Sequence, residues 1–142
     1  MFVLDTNTIS ELMKENPSES VVAWIGECKA DELYTTTITQ AEIGYGILRL
    51  ADGKRKNALQ DAYADIFGNI FAARVFPFDF EAAPFYSRIT ADAERNGKPI
   101  SVLDAQIAAI CACRKATLVT RNIKDFTSVR GLILVNPWDC LS

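Results

Sequence analysis

The 142-residue chain contains no histidine. That absence removes imidazole as a general base and rules out Ser-His-Asp and Cys-His arrangements. A hydrolase built from this sequence must therefore work through carboxylates and metal. Cysteine is scarce and badly spaced for a metal: Cys28, Cys111, Cys113 and Cys140 include no C-x-x-C pair. Cys111 and Cys113 lie two apart in a helical pattern and so point to different faces. Buried, reduced thiols and no zinc site are expected. No apolar run approaches the ~18–20 residues of a membrane span. The chain opens with Phe2-Val3-Leu4 and then Asp5, which is neither a basic leader nor a signal-peptide core, so a cytoplasmic protein is expected. An excess of positive charge is also missing. The net charge is −3, which weighs against a nucleic-acid binder unless several acids are sequestered in a metal site. The local basic clusters Lys54-Arg55-Lys56, Arg114-Lys115, and Arg121 with Lys124 read as solvated helix faces.

What is present is enough apolar content for a core, 49% of residues, with no repeat, low-complexity tract or long linker. Short apolar or β-branched runs alternate with helical patterns. Strands are predicted at Phe2-Val3-Leu4, Leu33-Tyr34-Thr35-Thr36, Arg74-Val75-Phe76, Thr117-Leu118-Val119 and Leu132-Ile133-Leu134-Val135. Helices are predicted from Asn7 to Lys14, from Ser18 or Ser20 through Cys28, and from Thr39 to about Asp52. Further helices run from Lys54 to about Phe71, from Phe80 to Asn96, and from Ser101 past Cys111. The alternation argues for an α/β fold with a parallel sheet covered on both faces. In such sheets, sites form at the carboxyl ends of the strands.

A parallel fold would bring three acids to that edge. Asp5 directly follows the first strand, while Glu42 and Asp104 sit near the starts of helices. Capping competes as an explanation. Thr39-x-x-Glu42 is a capping-box pattern, Ser101-x-x-Asp104 resembles one, and Asp5 can act as an N-cap. Their joint placement, without histidine, suits a hard divalent cation such as Mg2+ or Mn2+. Carboxylates packed together without metal would repel, and at least one would have a raised pKa. Metal also reverses the local sign, making an acidic cluster compatible with a phosphodiester. Thr6, Asn7 and Thr120 are small polar residues that either orient the acids or serve turn chemistry. Gly44 and Gly46 inside a helix imply close approach of another element or chain. Tyr45 either lies near substrate or, as a lone aromatic more often does, is packed.

Four segments carry a resemblance. They are Leu4-Asp5-Thr6-Asn7, Thr36 through Gly46, Ile100 through Ala108, and Leu118 through Phe126 followed by Val135-Asn136-Pro137-Trp138. In that order and spacing the chain resembles PIN-domain toxins of the VapC family, near the FitB-like branch. The resemblance implies one nuclease domain over residues 1–142, a three-layer sandwich whose sheet of about five strands is ordered 3-2-1-4-5. It implies a metal-dependent endoribonuclease in a type II toxin-antitoxin module, cutting RNA by metal-activated water. The family acids fall on Asp5, Glu42 and Asp104. The fourth family position falls on Asn122, whose amide can ligate but brings no charge. Asp125 either substitutes for it or caps the following turn. Implied partners are RNA, a small DNA-binding antitoxin of the VapB or FitA type seated in the acidic cleft, and a second copy of the chain, with larger assemblies when antitoxin is bound. Two other readings stand beside this one. One is a non-catalytic PIN-like module acting with a DNA-binding partner. The other is a haloacid-type phosphatase, which usually needs an acid where Asn7 stands.

Overall fold

The computed structural model describes residues 1–139, and Cys140 lies outside the described residues. Five strands form one sheet: β1 (Phe2–Leu4), β2 (Leu33–Thr36), β3 (Val75–Phe76), β4 (Thr117–Val119) and β5 (Leu134–Val135). Every pairing is parallel, and the order is β3-β2-β1-β4-β5. The order reverses between β1 and β4, where the registers Phe2↔Thr117 and Leu4↔Val119 hold the two strand ends level.

Six helices cover the sheet: α1 (Thr6–Leu12), α2 (Glu19–Glu27), α3 (Thr37–Leu48), α4 (Lys54–Asp65), α5 (Ala83–Arg95) and α6 (Val102–Arg114). The period of two along each strand divides the core into halves. Leu4, Leu33 and Val119 face one way, packing with Ile9 of α1, Ile43 and Ile47 of α3, and Ile66, Phe67 and Phe71. Val3 and Leu118 face the other, against Ile107, Ala108 and Cys111 of α6 and Phe126. The short strands are apolar on both sides because both sides are covered.

Several boundaries differ from the sequence reading for identifiable reasons. The helix expected to run to Phe71 loses α geometry after Asp65 and widens into a π turn over Ile66–Ile70. There the Phe71 N–H donates to the Ile66 carbonyl at 2.8 Å. The wider turn brings Ile66, Phe67 and Phe71 into the core together. α5 starts at Ala83 rather than Phe80. Asp79 Oδ1 accepts from the Ala82 N–H at 3.1 Å, and the turn it makes leaves Phe80 88% exposed. β5 is only Leu134–Val135, and β3 lacks Arg74. Ser18, not Ser20, caps α2. Of the thiols expected to be buried, Cys111 is; Cys28, at the end of α2, and Cys113 are only half-buried, and all three are free.

Glu11 closes the turn between α1 and α2. It is 6% exposed, with Oε1 accepting from Lys14 Nζ at 2.9 Å and Oε2 from the Ser18 N–H at 2.9 Å. The Lys14 hydrogen bond, then that of Ser18, holds its carboxyl below the ordinary 4.5. The folded state therefore favours the ionised form, a contribution present above 4.5 and lost as pH falls through the lower folded value. Glu11→Gln is expected to lower the urea midpoint at neutral pH, with the gap from wild type closing in acid.

α6 ends on Lys115 in the left-handed region, φ 56°. The Ala116 N–H reaches back to the Cys111 carbonyl at 2.9 Å and the Lys115 N–H to Ala112 at 3.3 Å, the Schellman pattern usually completed by glycine. Lys115→Gly is expected to stabilise the chain by about 0.5–1 kcal/mol, read from thermal denaturation. Gly44 answers the sequence expectation of close approach, since a Cβ there would lie 3.4 Å from the Tyr63 ring of α4. A Cβ on Gly46 would meet nothing within 4 Å.

Candidate metal and nucleic-acid site

Asp5 leaves β1 at the switch point and caps α1. Its backbone N–H donates to the Val119 carbonyl at 3.1 Å, which ties it to the end of β4. The side chain is 5% exposed. Its Oδ1 accepts from the Thr8 N–H at 2.9 Å and the Thr8 hydroxyl at 2.8 Å. Burial pushes its pKa above the ordinary 3.8, while hydrogen bonds from Thr120 and from the Thr8 backbone and hydroxyl pull the other way. Thr120 follows β4, is fully buried, and also accepts from the Asn122 N–H at 3.0 Å. It is thus the hinge between Asp5 and the segment after β4. Thr8 is the residue that sequence reasoning overlooked. Its signal was legible as Asp5-x-x-Thr8, an N-cap with a hydroxyl at the position that reaches back.

Asp104 comes from α6, capped by Ser101, whose Oγ accepts from the Asp104 N–H at 3.2 Å. The capping expectation is met, yet it does not exhaust the residue. Burial raises its carboxyl most, the Ser101 hydrogen bond lowers it, and the charges of Asp125 and Asp5 raise it further. Asp104 and Asp125 line a common cavity of about 600 Å³ with Lys98, Ser101 and Lys124. Asp125 ends a 3-10 turn over Ile123–Asp125.

Glu42 is placed differently from the sequence expectation. Thr36, not Thr39, caps α3, its hydroxyl accepting from the Thr39 N–H at 3.1 Å. Glu42 therefore lies in the second turn, and the capping-box explanation for it falls. Its Oε1 instead accepts from the Thr6 hydroxyl at 2.7 Å, with Thr39 Oγ1 3.2 Å from the same hydroxyl. Thr6 thus ties α1 to α3 through a carboxylate.

The three acids share one edge, but they do not form a closed cage. Among the described residues, no three carboxylates or thiolates stand close enough to hold a metal by themselves. Among neighbouring charges Asp104 feels Asp125 most, then Asp5. Glu42 is held toward Thr6. An all-oxygen donor set of two carboxylates fits a hard cation that keeps most of its waters, as magnesium does. Asn122 is exposed and contributes its N–H to Thr120. Asn7 is exposed, and among the described residues its side chain makes no hydrogen bond. Tyr45 is not packed but 65% exposed, with the Arg49 guanidinium 5.5 Å from its ring centroid.

Residues 2–132 match the PIN-domain family. The chain belongs to it. The PIN domain here is 36% identical over 138 residues to Toxin FitB of Neisseria gonorrhoeae, covering 97% of this chain and 99% of that one. It is 37% identical to VapC ribonuclease Y4jK of Sinorhizobium fredii, covering 98% and 99%. Among solved structures, it resembles a chain of FitAB bound to the IR36 DNA fragment, with TM-score 0.91, 35% identity, and coverage of 100% and 99%. These relatives place it in the VapC and FitB branch of PIN proteins. The five-strand order expected from the family is the observed one. The PIN match also spans every acid discussed above, whereas Val135 to Trp138 lies beyond it.

Proposed function

We propose that this PIN domain, residues 1–142 acting as one unit, is the toxin of a toxin-antitoxin pair and an endoribonuclease that hydrolyses RNA with Mg2+ or Mn2+. The observation that carries the reading is the placement of buried Asp5 and half-buried Asp104 at the carboxyl edge of the sheet, both raised by burial and Asp104 also by the charges of Asp125 and Asp5, an arrangement a divalent cation relieves. The naming of the Sinorhizobium relative as a ribonuclease supports the reaction class.

Asp5 and Asp104 are the residues that would hold the cation. Thr8 and Thr120 fix the rotamer of Asp5, so that the carboxylate is aimed before substrate arrives. Glu42, tethered by Thr6, orients the attacking water and receives its proton. Asp125 lines the cavity beside Asp104, and the exposed Asn122 would offer an amide carbonyl from the segment after β4. A bound divalent cation would supply acidification of water and neutralisation of the phosphodiester. The products expected are a 5′-phosphate and a 3′-hydroxyl. Asn7, exposed and where a haloacid-type phosphatase needs its second acid, disfavours that reading.

The FitB relative is named a toxin and FitAB is seen on DNA, which supports a DNA-binding antitoxin as partner. An arginine from such a partner would pair with Asp5 and Asp104 and displace the cation. Exposed apolar side chains, Tyr45 and Leu48 of α3, supply surface for pairing with a second copy. The test is incubation of purified chain with RNA and Mg2+, with end-group analysis of fragments. Cleavage that stops with chelator and with Asp104→Asn is expected. Equal cleavage in chelator would overturn the reading, and a protein that binds Mg2+ but cuts nothing would favour the non-catalytic module.

A further inference from the structure

The cavity at Asp104 is one end of a longer groove. Ser128 lines it, and Ser128 also lines two neighbouring hollows, of about 160 and 570 Å³. Those two share Asp92 and Arg130 as well. The three therefore run end to end, from the acids, along the C-terminal half of α5, to the entry of β5.

The charge on the groove opposes that of the whole chain. Lys98 and Lys124 stand at the acid end, Arg95 and Arg130 in the middle, and Arg88 and Lys115 at the far end. Beyond Asp104 and Asp125, the one acid along it is Asp92, and Arg95 already pairs with it at 3.2 Å. Among the described residues, the other five cations are in no ion pair. A protein of net charge −3 thus places six cations on one connected path. At the far end the path becomes apolar, with Phe85, Ile89 and a 65% exposed Ile133, and the Arg88 guanidinium lies 5.7 Å from the Phe85 ring centroid.

Backbone turns build the path. α5 stops in a Schellman motif: the Gly97 N–H donates to Glu94 at 3.1 Å and the Lys98 N–H to Ala93 at 2.9 Å, with Gly97 at φ 70°. That reversal carries Lys98 from the end of α5 back to the acid end of the groove.

Resting on the nuclease reading above, we infer that this groove is the RNA track: its cations hold phosphates of the strand on one side of the scissile bond, and its apolar end takes a base. A spaced row of cations, five of the six outside any ion pair among the described residues, leading out of a phosphodiester-cutting site matches a polyphosphate chain. The guanidinium of Arg88 beside the half-buried Phe85 ring, next to the exposed Ile133, is the kind of platform on which bases stack. The track explains how an acidic chain engages an anionic polymer.

The experiment measures binding of short fluorescent single-stranded RNA to the full chain in chelator, across salt concentrations. The Lys98→Glu, Arg130→Glu double variant is expected to bind at least about 10-fold more weakly, with the log K versus log salt slope reduced by about 0.7 per lost contact. The Lys54→Glu, Arg55→Glu variant, changed on α4 away from the groove, is expected to keep wild-type binding and slope. With Mg2+, the groove variant is expected to show a raised KM with kcat little changed. Gln in place of Glu at both groove positions, with an unchanged melting temperature, should give the same direction and so separates charge from misfolding. An unchanged slope, an equal loss in the α4 variant, or groove-dependent binding of acidic peptide but not RNA would overturn the track. Cleavage with groove-independent binding leaves the nuclease reading standing without the track. Groove-dependent RNA binding without cleavage does the reverse.

Discussion

Asp5→Asn is expected to lower RNA cleavage by at least about 100-fold and yet leave the metal-free fold as stable as wild type, or more so. Asparagine is as good an N-cap as aspartate, so the hydrogen bond from the Thr8 N–H survives. What goes is the charge, and with it the ligand. The stability side follows from the direction of the pKa. Burial raises Asp5 above 3.8, so the folded state binds the proton more readily than the unfolded state. Stability then falls as pH rises from the ordinary value through the folded one, and the full cost is present above both. Scanning calorimetry in chelator should show Asp5→Asn at or above the wild-type melting temperature at neutral pH, the gap narrowing toward pH 3.8. A variant that is both inactive and clearly destabilised would mean that Asp5 serves the fold. The expected pattern is that of a site kept at the expense of stability.

Leu4→Ala carries the second large effect. Leu4 is fully buried on the central strand, one residue before Asp5, and packs in the core half that includes Ile9, Leu33, Ile43 and Val119. Removing three buried carbons and leaving a cavity there should cost about 2–5 kcal/mol. Against a typical total of about 5–15 kcal/mol, that is a large fraction of the fold. Urea denaturation should show it as a lower midpoint with an unchanged slope. Leu4→Met, which conserves volume, should lose less than about 1.5 kcal/mol. If both variants behaved alike, the tight packing around β1 would be in doubt, and with it the rigid delivery of Asp5.

The sheet was legible in the sequence because both its faces are covered. Short apolar or β-branched runs such as Phe2-Val3-Leu4 and Thr117-Leu118-Val119 have few other uses. The order of the strands was not in the pattern, and came only with the family resemblance. Helix starts were misplaced where two hydroxyls competed. Thr36 and Thr39 both look like caps, and the outcome depends on β2 running on through Thr36, which only pairing with its neighbours decides. The same three-residue shift moved Glu42 out of a capping box and into a hydrogen bond with Thr6. The π turn after Asp65 was invisible, since its cause is the tertiary demand of Ile66, Phe67 and Phe71. Asp5 and Asp104 were legible as acids at a strand end and a helix start. Repulsion among them was expected; that Asp125 and Asp5 supply it to Asp104 while Glu42 faces Thr6 was not, because side-chain direction depends on packing. The basic groove was missed for a similar reason. Arg88, Arg95 and Lys98 lie on and just past α5 while Lys124 and Arg130 come from beyond β4, and only folding, with the helix reversal at Gly97, brings them onto one path.

The measurement that bears most directly on the paired carboxylates is a Mn2+ titration followed by electron paramagnetic resonance. It would compare wild type, Asp5→Asn and Asp104→Asn at equal protein concentration. Wild type is predicted to hold one tightly bound ion per chain, and each single variant is predicted to lose it while remaining folded. Binding that persists undiminished in both variants would contradict the account.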